Sequence, residues 1–510
     1  MSSKKNSTTK VLTLFGFFAL TASMVMTVYE YPSFATSKLA AVFFTILGGV
    51  FWFLPTALVS AEMASVKGWE DGGVFGWVSH SLRSEKLGFF AVFFQWFQIT
   101  VGFVTMSYFI IGILSYVFNW PALNNNPLFK FLGVLIVFGT ITLLQLGGTK
   151  YTAKIAQWGF VGGIIITSIV FFGLAITYLA QGNPVQISFS WHALFPNFHN
   201  AGTLTIFATF ILAFTGVEAS ASHVNELQNA EKNYPLAIIM LVVLAIVLDA
   251  AGGLSVAAVI PQKTLSLNGG IYQTFKTLLF HFNPHLTWLL DILVLMIVFG
   301  VVAEIGSWVV GPSRGIQVAT EYGLLPQQLR KKNKHGVPVV ILAVQAVMVT
   351  IWDAILTFGG GKGNISFLVA TTLTTLLYLV CYFCMYIAYF VLIFKHKKAQ
   401  RTYNVPGGTI GKVICGVCGT LTSIFAFVVS FIPSSALPGK EAKTFQIILV
   451  ICFIIALIIP FILTAFQKQY IKNSKYEIKH FDFAEEDAEE DTGTCVEDNI
   501  HHNMHASPSH

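Results

Sequence analysis

Two acidic residues lie inside long apolar segments of this 510-residue chain. Glu218 lies in the stretch IFATFILAFTGVEASAS, and Glu304 lies in LVLMIVFGVVAEIGSWVVG. Placing an ionised carboxylate at the centre of a bilayer costs free energy, with estimates from about 2.5 to over 10 kcal/mol. Such a residue therefore usually faces water, a partner or a substrate. Two of them in one chain indicate a transport pathway.

Further polar residues in apolar segments have two interpretations each. Tyr378 and Tyr382 are one helical turn apart, so their hydroxyls share a face that either lines a pathway or packs against other rings. Asp249 lies deep in an apolar segment and is either functional or simply buried and hydrogen-bonded. Glu30 either contributes to the pathway or, equally well, belongs to an aromatic belt at the membrane interface. Glu62 is expected to be solvated or capped near the cytoplasmic face.

Small and polar residues interrupt two of the apolar segments. Thr21, Ala22 and Ser23 lie in the first, and Phe214-Thr215-Gly216-Val217 precedes Glu218 in the other. Where a helix unwinds, free N–H groups can hold a carboxylate and free carbonyl groups can hold an ammonium. Small residues also occur where two helices pack closely, so each interruption has that alternative explanation.

The composition identifies an integral membrane protein. Hydrophobic residues make up 55% of the chain and charged residues 11%, with a mean hydropathy of +0.70, whereas soluble domains carry roughly 25% charged residues. No basic face with interleaved aromatic residues is present, which excludes nucleic acid as a partner. No nucleotide-binding loop and no Ser/His/Asp constellation outside the membrane are present, so we expect neither an enzyme nor coupling to a nucleotide.

The cysteines form two C-x-x-C pairs, Cys381/Cys384 and Cys415/Cys418. This spacing would suggest a zinc site in a soluble chain. Both pairs lie in apolar helical segments, where a free cysteine behaves as a small hydrophobic residue. We therefore expect core thiols, no metal site and no cofactor.

Apolar segments of about 20 residues, the length that spans a bilayer, recur twelve times. If the N-terminus is cytoplasmic, 23 of the 30 Lys and Arg residues fall on the cytoplasmic side, as the positive-inside rule requires. Both termini are therefore predicted to be cytoplasmic. The predicted spans are 11–31, 39–62, 87–118, 128–147, 152–180, 202–223, 235–260, 287–311, 337–358, 365–394, 411–433 and 444–467.

The predicted organisation has three parts. Residues 1–10 form a cytoplasmic N-terminus, 11–467 the twelve-helix transporter domain, and 468–510 a cytoplasmic tail. Spans one to five (about 11–180) and six to ten (about 202–394) could form inverted repeats, a recurring plan in transporters. The tail carries an acidic stretch and His501, His502, His505 and His510. It is either a solvated extension or a segment that responds to pH.

Several strings resemble the glutamate/γ-aminobutyrate (GABA) antiporters of bacteria, a family of the amino acid–polyamine–organocation superfamily. The resemblance covers about residues 11–467. The strings that carry it include GFFALTASMVMTVYEYPSFAT, LVSAEMASVKGWEDGGVFGWV, QLGGTKYTAKIA, FTGVEASASHVNELQNAEKNYPLA, VVAEIGSWVVGPSRG and KKNKHGVPV.

The resemblance implies an all-α, LeuT-like fold of twelve helices with a five-plus-five inverted repeat and discontinuous helices one and six. It implies exchange of external glutamate for cytoplasmic GABA across the cytoplasmic (inner) membrane, and contact with membrane lipid. A cytoplasmic glutamate decarboxylase would consume a proton per GABA formed, so the exchange would support acid resistance. The positions that match the substrate path are Tyr29, Glu218, Glu304, Tyr378 and Tyr382, with unwound backbone at Ala22, Ser23 and Met24 and at Thr215, Gly216 and Val217.

The resemblance also implies that the C-terminal tail plugs the inward path at neutral pH. While ionised, the acidic stretch 485–491 would be attracted to Lys and Arg at the cytoplasmic rim, and protonated histidines would release it. Two departures from the family matter. The first break lacks the glycine that is common in the superfamily, and this tail is more acidic than the family's.

Two other functions remain open. The chain could be an antiporter or a proton symporter of the same superfamily for another amino acid. It could instead belong to a different class, as a channel or a transceptor that senses amino acids.

Overall fold

The computed structural model describes residues 13–69, 73–147, 155–221, 227–359, 364–434, 437 and 439–483. These residues form helices and no strand, apart from one isolated bridge between Val66 and Arg401. Eleven of the described helical stretches are long and apolar enough to cross a membrane. The prediction of an all-α membrane protein is confirmed, while the count of twelve spans and the inverted repeat stay predictions.

In the first half of the chain, nine α-helices lie wholly within the described residues. A π-helical segment, Gly49–Phe53, joins α3 to α4, and a second, Gly159–Ile166, leads into α9. The helices are α1 Leu14–Val25, α2 Tyr31–Ala35, α3 Ala41–Gly48, α4 Leu54–Ala64, α5 Val74–Leu82, α6 Glu85–Val117, α7 Ala122–Asn125, α8 Pro127–Gln145 and α9 Thr167–Ala180.

In the second half, the described residues include ten α-helices. A π-helical segment, Ile355–Gly359, extends α15, and a 3-10 turn, Gln327–Arg330, follows α14. The helices are α10 Phe207–Ala213, α11 Val217–Ala221, α12 Ala230–Val259, α13 Gly270–Phe282, α14 Thr287–Glu321, α15 Val339–Ala354, α16 Asn364–Phe394, α17 Gly408–Ser430, α18 Gly439–Ala465 and α19 Gln467–Lys472.

The first apolar segment is interrupted later than its small residues predict. Helix α1 runs through Ala22 to Val25, and the non-helical stretch covers residues 26–30. The Thr21 hydroxyl donates to the Phe17 carbonyl oxygen at 3.0 Å, so this polar side chain is satisfied within the helix. Pro32 lies in the first turn of α2, the position in a new helix that tolerates proline. The prediction of unwound backbone at Ala22, Ser23 and Met24 is therefore wrong in position.

The sixth apolar segment contains a three-residue turn. Helix α10 ends at Ala213 and α11 begins at Val217. Between them Gly216 has a φ of +101°, a conformation that residues with a Cβ atom rarely adopt. The Thr215 hydroxyl donates to the Leu212 carbonyl oxygen at 2.7 Å, which takes up one acceptor at the end of α10.

Three helical features extend beyond the predicted spans. Helix α14 continues from the predicted end at residue 311 through Pro312 to Glu321, and α5 and α13 were not predicted at all. Several polar residues of the α14 extension are buried, including Ser313, whose hydroxyl donates to the Val309 carbonyl oxygen at 2.8 Å. A rule that searches for about 20 apolar residues ends a span where polar residues begin, so it misses such an extension.

Helix α6 lies at the centre of the molecule, because 94% of its apolar stretch is buried inside the protein. It packs against α16, α5, α14 and α15. Helix α2 packs closely on α12, where a Cβ atom at Gly252 would lie 2.5 Å from the Tyr31 ring. Gly252 and Gly253 therefore allow α2, the short helix after the first break, to lie close against α12.

The loops meet on two opposite faces. On one face Asn268 donates to Asn124 at 2.8 Å and joins the loop after α12 to the short helix α7. On the other face Arg401 pairs with Glu62 at 2.6 Å and joins the ends of α16 and α4. We call the second face the basic face, since the charge count predicts it to be cytoplasmic.

Candidate functional site

A small cavity lies between the two interrupted segments. Val25, Thr27 and Tyr29 line it on the side of the first break, and Leu212, Ala213 and Thr215 line it on the side of the second. The volume that the centre of a water molecule can occupy in this cavity is only about 20 Å³. This is roughly the space that one water needs. The remaining lining residues come from three long helices: Gln98, Ile99, Gly102 and Met106 of α6, Glu304 and Trp308 of α14, and Thr374 and Tyr378 of α16.

Glu218 is buried in a complete set of hydrogen-bond donors. The Gln95 amide donates to Oε1 at 3.0 Å, and the Tyr378 hydroxyl donates to the same oxygen. The Tyr382 hydroxyl donates to Oε2 at 2.6 Å. Hydrogen bonds to a charged group contribute about 1.5–3 kcal/mol each, so three donors offset much of the cost of burying the carboxylate.

The second break is held by the same tyrosine that holds Glu218. The backbone N–H of Gly216 donates to the Tyr382 hydroxyl oxygen at 3.2 Å. The two tyrosine rings of α16 lie with centroids 4.8 Å apart, one turn from each other. The Tyr382 ring also meets Trp52 edge-on, with centroids 4.9 Å apart. Helix α16 thus positions both the turn and the carboxylate that follows it.

Glu304 has the opposite environment. Its side chain is 8% exposed, lies on the cavity wall, and leaves Oε2 without a hydrogen-bond partner in the described structure. The Thr27 hydroxyl on the same wall also lacks a partner. A buried acceptor without a donor costs about 1–3 kcal/mol. Glu304 is therefore the carboxylate that remains available to a cation or an ammonium group in the cavity.

A protein-family model described as amino acid permease matches residues 12–458. The chain belongs to the amino acid permease family. That family is part of the amino acid–polyamine–organocation superfamily, as the sequence resemblance implies.

The chain is similar over most of its length to two proteins of Lactococcus lactis named glutamate/gamma-aminobutyrate antiporter. The protein of subsp. lactis is 57% identical over 472 residues, which cover 92% of this chain and 94% of the relative. The protein of subsp. cremoris is 58% identical over 454 residues, which cover 89% and 90%.

A solved structure shows the same fold at low sequence identity. The manganese transporter of Eremococcus coleocola matches with a TM-score of 0.51 and 13% identity, over 90% of this chain and 94% of that one. The likeness concerns the fold alone. It agrees with the LeuT-like architecture that the sequence resemblance implies.

The permease brings most of the predicted site residues together. Tyr29, Thr215, Glu304 and Tyr378 line the cavity. Tyr378 links them to a second group made of Glu218, Gly216 and Tyr382, and Val217 begins the helix that carries Glu218. Ala22 is buried within α1 and does not line the cavity, and Ser23 and Met24 also lie in the helical part of α1.

Sequence reasoning missed the glutamines of α6. Gln95 donates to Glu218, and Gln98 lies on the cavity wall. Both interrupt an apolar helix of 33 residues, three positions apart and thus on one face. The reasoning that selected the two carboxylates, a polar residue inside an apolar segment, would have found them.

Glu62 is neither solvated nor merely capped, as the sequence had suggested. It is completely buried and pairs with Arg401 at 2.6 Å and with Lys412 at 2.5 Å. Its second oxygen accepts from the Tyr389 hydroxyl at 2.9 Å and from the Val405 N–H at 3.1 Å. This carboxylate joins α4, α16 and α17 at the basic face.

The first part of the tail lies against the basic face. The Phe481 ring packs between His80 of α5, at 4.1 Å between centroids, and Tyr322 after α14, at 4.4 Å. The Phe481 N–H donates to the Glu85 carboxylate at 3.2 Å. We name the stretch 473–483 the docking segment. It covers the ends of α5, α6 and α14, and the last two of these helices contribute walls of the cavity.

Two ion pairs of the docking segment place a basic residue of the tail beside an acid of the transporter domain. Lys479 of the tail pairs with Glu321 at 2.7 Å, and His480 lies 3.4 Å from Glu85. The rim residue Arg330 contacts the Glu477 carbonyl oxygen at 3.2 Å and no described tail carboxylate. The predicted acidic stretch 485–491 and the predicted pH-sensing residues, His501, His502, His505 and His510, lie outside the described residues.

Proposed function

We propose that this permease exchanges external glutamate for cytoplasmic GABA by alternating access. The observation that carries the proposal is the free oxygen of Glu304 in a cavity between two helix breaks. Glutamate carries an α-ammonium group and GABA a γ-ammonium group, and both molecules carry a carboxylate. Glu304 binds the ammonium group, and hydroxyl donors on the same wall, Thr27 and Tyr29, bind the carboxylate. The names of the two Lactococcus relatives support this choice of substrates.

The cavity is too small for either substrate in the described conformation, because it has room for about one water. Binding therefore requires the two interrupted segments to move away from α6 and α14. The non-helical residues 26–30 and the turn before Val217 are the points where short helices can tilt. Tyr382 couples the second of these movements to Glu218, since its hydroxyl contacts both.

Glu218 and Glu304 have different roles in this scheme. Glu218 is saturated by three donors and fixes the geometry of α11 against α6 and α16. Glu304 meets the substrate. Either carboxylate is retained despite the cost of burial, but for different reasons.

The docking segment supports the further proposal of a plug that closes the inward path at neutral pH. Its contacts hold the ends of α5, α6 and α14 together on the basic face. Lys479 of this segment pairs with Glu321, and His480 lies beside Glu85, so the docking depends on charge.

The physiological setting follows from the exchange. We place the permease in the cytoplasmic (inner) membrane of a bacterium, with both termini inside and its surface in contact with lipid. A cytoplasmic glutamate decarboxylase would supply GABA and consume a proton for each molecule formed. Export of GABA then removes acid from the cell, which is the basis of acid resistance.

The test is transport by the purified protein in liposomes. Uptake of labelled glutamate that requires internal GABA or glutamate supports the proposal. Uptake that a proton gradient drives without internal amino acid indicates a symporter, and flux that does not saturate indicates a channel. A panel of internal amino acids then ranks the substrates, and GABA must be among the best for the proposal to stand.

A further inference from the structure

A second, wider cavity opens on the basic face at the end of α18. The volume that the centre of a water molecule can occupy in it is about 410 Å³, compared with about 20 Å³ in the cavity between the two breaks. One water needs roughly 10–15 Å³ by this measure, so the wider cavity admits a much larger group. Its walls come from the 3-10 turn after α14 and from α19: Pro326, Gln327, Gln328, Phe466, Gln469, Tyr470 and Asn473.

The walls of this cavity carry polar side chains that the protein itself does not use. Gln327 is engaged, because its amide donates to the Asn473 carbonyl oxygen at 2.7 Å and accepts from the Lys475 N–H at 2.7 Å. Three other polar side chains form no hydrogen bond with the described part of the chain: Gln328, Gln469 and Tyr470. Two amides and a phenol are therefore available to donate to the oxygens of a bound molecule.

The two stretches of chain that form the cavity are strongly basic. Residues 326–335 and 466–475 together contain seven Lys and Arg residues and no Asp or Glu. Lys331 and Lys472 each follow a lining glutamine by three residues, which is about one helical turn. Both lysines are exposed and form no ion pair with the described residues. The cavity is therefore suited to an anionic ligand.

The cavity also lies at the edge of the membrane-spanning part of the protein. Helix α18 faces lipid, since only 28% of its apolar stretch is buried, and it ends at Ala465, one residue before Phe466 on the cavity wall. Phe466 is 50% exposed. It continues a stripe of exposed side chains of α18, three or four residues apart and thus on one side of the helix: Ile451, Ile455, Ile458 and Ile462. A lipid chain that packs on this stripe leads to the cavity.

We propose that this cavity binds the headgroup of an anionic phospholipid from the leaflet at the basic face. Lys331 and Lys472 pair with its phosphate, the unused amides and phenol donate to its oxygens, and its acyl chain packs on the stripe of α18. Basic clusters immediately outside a spanning helix attract anionic lipids. A soluble anion would use the lysines but would leave Phe466 and the stripe uncovered, so the geometry favours a lipid.

The bound headgroup would join the 3-10 turn to α19 at the place where the docking segment begins. Gln327 already makes this connection through its contacts with Asn473 and Lys475. The site is separate from the cavity between the two breaks, and the inference does not depend on which substrates are exchanged.

The test counts the phospholipids bound to the full-length protein by native mass spectrometry. Phosphatidylglycerol and phosphatidylcholine are added to the purified protein in detergent at equal mole fractions. The wild type is expected to retain phosphatidylglycerol in preference to phosphatidylcholine. Lys331→Gln combined with Lys472→Gln is expected to weaken this binding roughly 30-fold, since each basic residue near a membrane surface contributes about a factor of five. Gln469→Trp, which fills the cavity and keeps every charge, is expected to weaken it as well.

The matched control removes two charges from other parts of the basic face. Lys468 precedes Tyr470 by two positions and therefore lies on the opposite side of α19 from this lining residue. Lys395 is exposed directly after α16. Lys395→Gln combined with Lys468→Gln is expected to bind phosphatidylglycerol like the wild type. Wild-type binding by Gln469→Trp and by the Lys331/Lys472 variant, or an equal loss in the control, overturns the inference.

Two further measurements separate a lipid from other anions. Excess inorganic phosphate is expected not to displace phosphatidylglycerol, and displacement would assign the cavity to a soluble anion instead. A protein that ends at residue 483 is expected to bind phosphatidylglycerol as tightly as the full chain. Binding by the shorter protein alone would identify the acidic stretch 485–491 as the occupant and overturn the inference. Neither readout uses transport, so failure here leaves the proposed exchange intact.

Discussion

The hydroxyl of Tyr382 joins Gly216 to Glu218. It accepts from the Gly216 N–H at 3.2 Å and donates to the Glu218 carboxylate at 2.6 Å. A backbone turn and a buried charge therefore share one side chain of α16. The relationship explains why the carboxylate follows the turn so closely in the chain: any tilt of α11 at the turn changes the hydrogen bonds of Glu218.

Glu218→Ala is expected to abolish exchange and also to destabilise the protein. Three buried donors lose their acceptor, and an unsatisfied buried group costs about 1–3 kcal/mol. Thermal unfolding in detergent, compared with Glu218→Gln, which keeps one acceptor oxygen, measures the difference. Equal melting temperatures for Glu218→Ala and the wild type would contradict the structural role.

Glu304→Gln is expected to reduce exchange while leaving stability unchanged or slightly improved. Its Oε2 has no partner to lose, but the substrate ammonium loses a charged acceptor worth about 1.5–3 kcal/mol, which corresponds to roughly a 10- to 150-fold weaker apparent affinity for GABA. Competition of unlabelled GABA against labelled glutamate in liposomes gives this number. A wild-type affinity for GABA in the variant would exclude Glu304 from the binding site.

Phe481→Ala is expected to extend transport towards neutral pH and to change it little near pH 5. The Phe481 ring fills the space between His80 and Tyr322, so its removal weakens the docking segment without touching the cavity. Truncation after residue 470 is expected to have the larger effect in the same direction. The measurement is the pH profile of exchange, with Lys468→Ala, an exposed change in the same tail, as the control. Superimposable profiles of full-length and truncated protein would show that the tail is only an extension.

Glu62→Gln is expected to destabilise the basic face without changing substrate affinity. It removes the charge that Arg401 and Lys412 share, and breaking a buried ion pair typically costs about 3–5 kcal/mol. The fraction of the variant that remains folded should exchange glutamate with the wild-type apparent affinity. Glu231→Gln, an exposed acid in the first turn of α12, is the matched control. A melting temperature for Glu62→Gln equal to that of this control would refute the role.

Hydropathy and charge predicted the membrane class and most spans, because burial in lipid requires long apolar segments. The same rule could not find α5, α13 or the end of α14, which lie outside the lipid or pack on protein. The small and polar residues of the first apolar segment, in turn, predicted the first break four residues too early. The polar side chain of Thr21 bonds back to its own helix, and only the position of Pro32 in the next helix hinted at the true break.

The part of the candidate site that could be predicted consists of residues whose type alone is unusual in an apolar segment. Glu218, Glu304 and the two tyrosines are polar groups in apolar surroundings, and Gln95 and Gln98 meet the same criterion. The difference between the two carboxylates was not predictable. It depends on donors from α6 and α16 that surround Glu218 and leave Glu304 with a free oxygen, and sequence spacing does not show which distant helices meet. The contacts of the docking segment were inaccessible for the same reason.

The most direct test of the account is glutamate uptake into liposomes loaded with GABA, for the wild type, Glu304→Gln and Asp291→Asn at matched protein levels. We expect rapid uptake by the wild type and by Asp291→Asn, almost none without internal amino acid, and strongly reduced uptake by Glu304→Gln that high internal GABA partly restores. Uptake by the wild type that does not depend on internal GABA or glutamate, or full uptake by Glu304→Gln, would contradict exchange through this cavity.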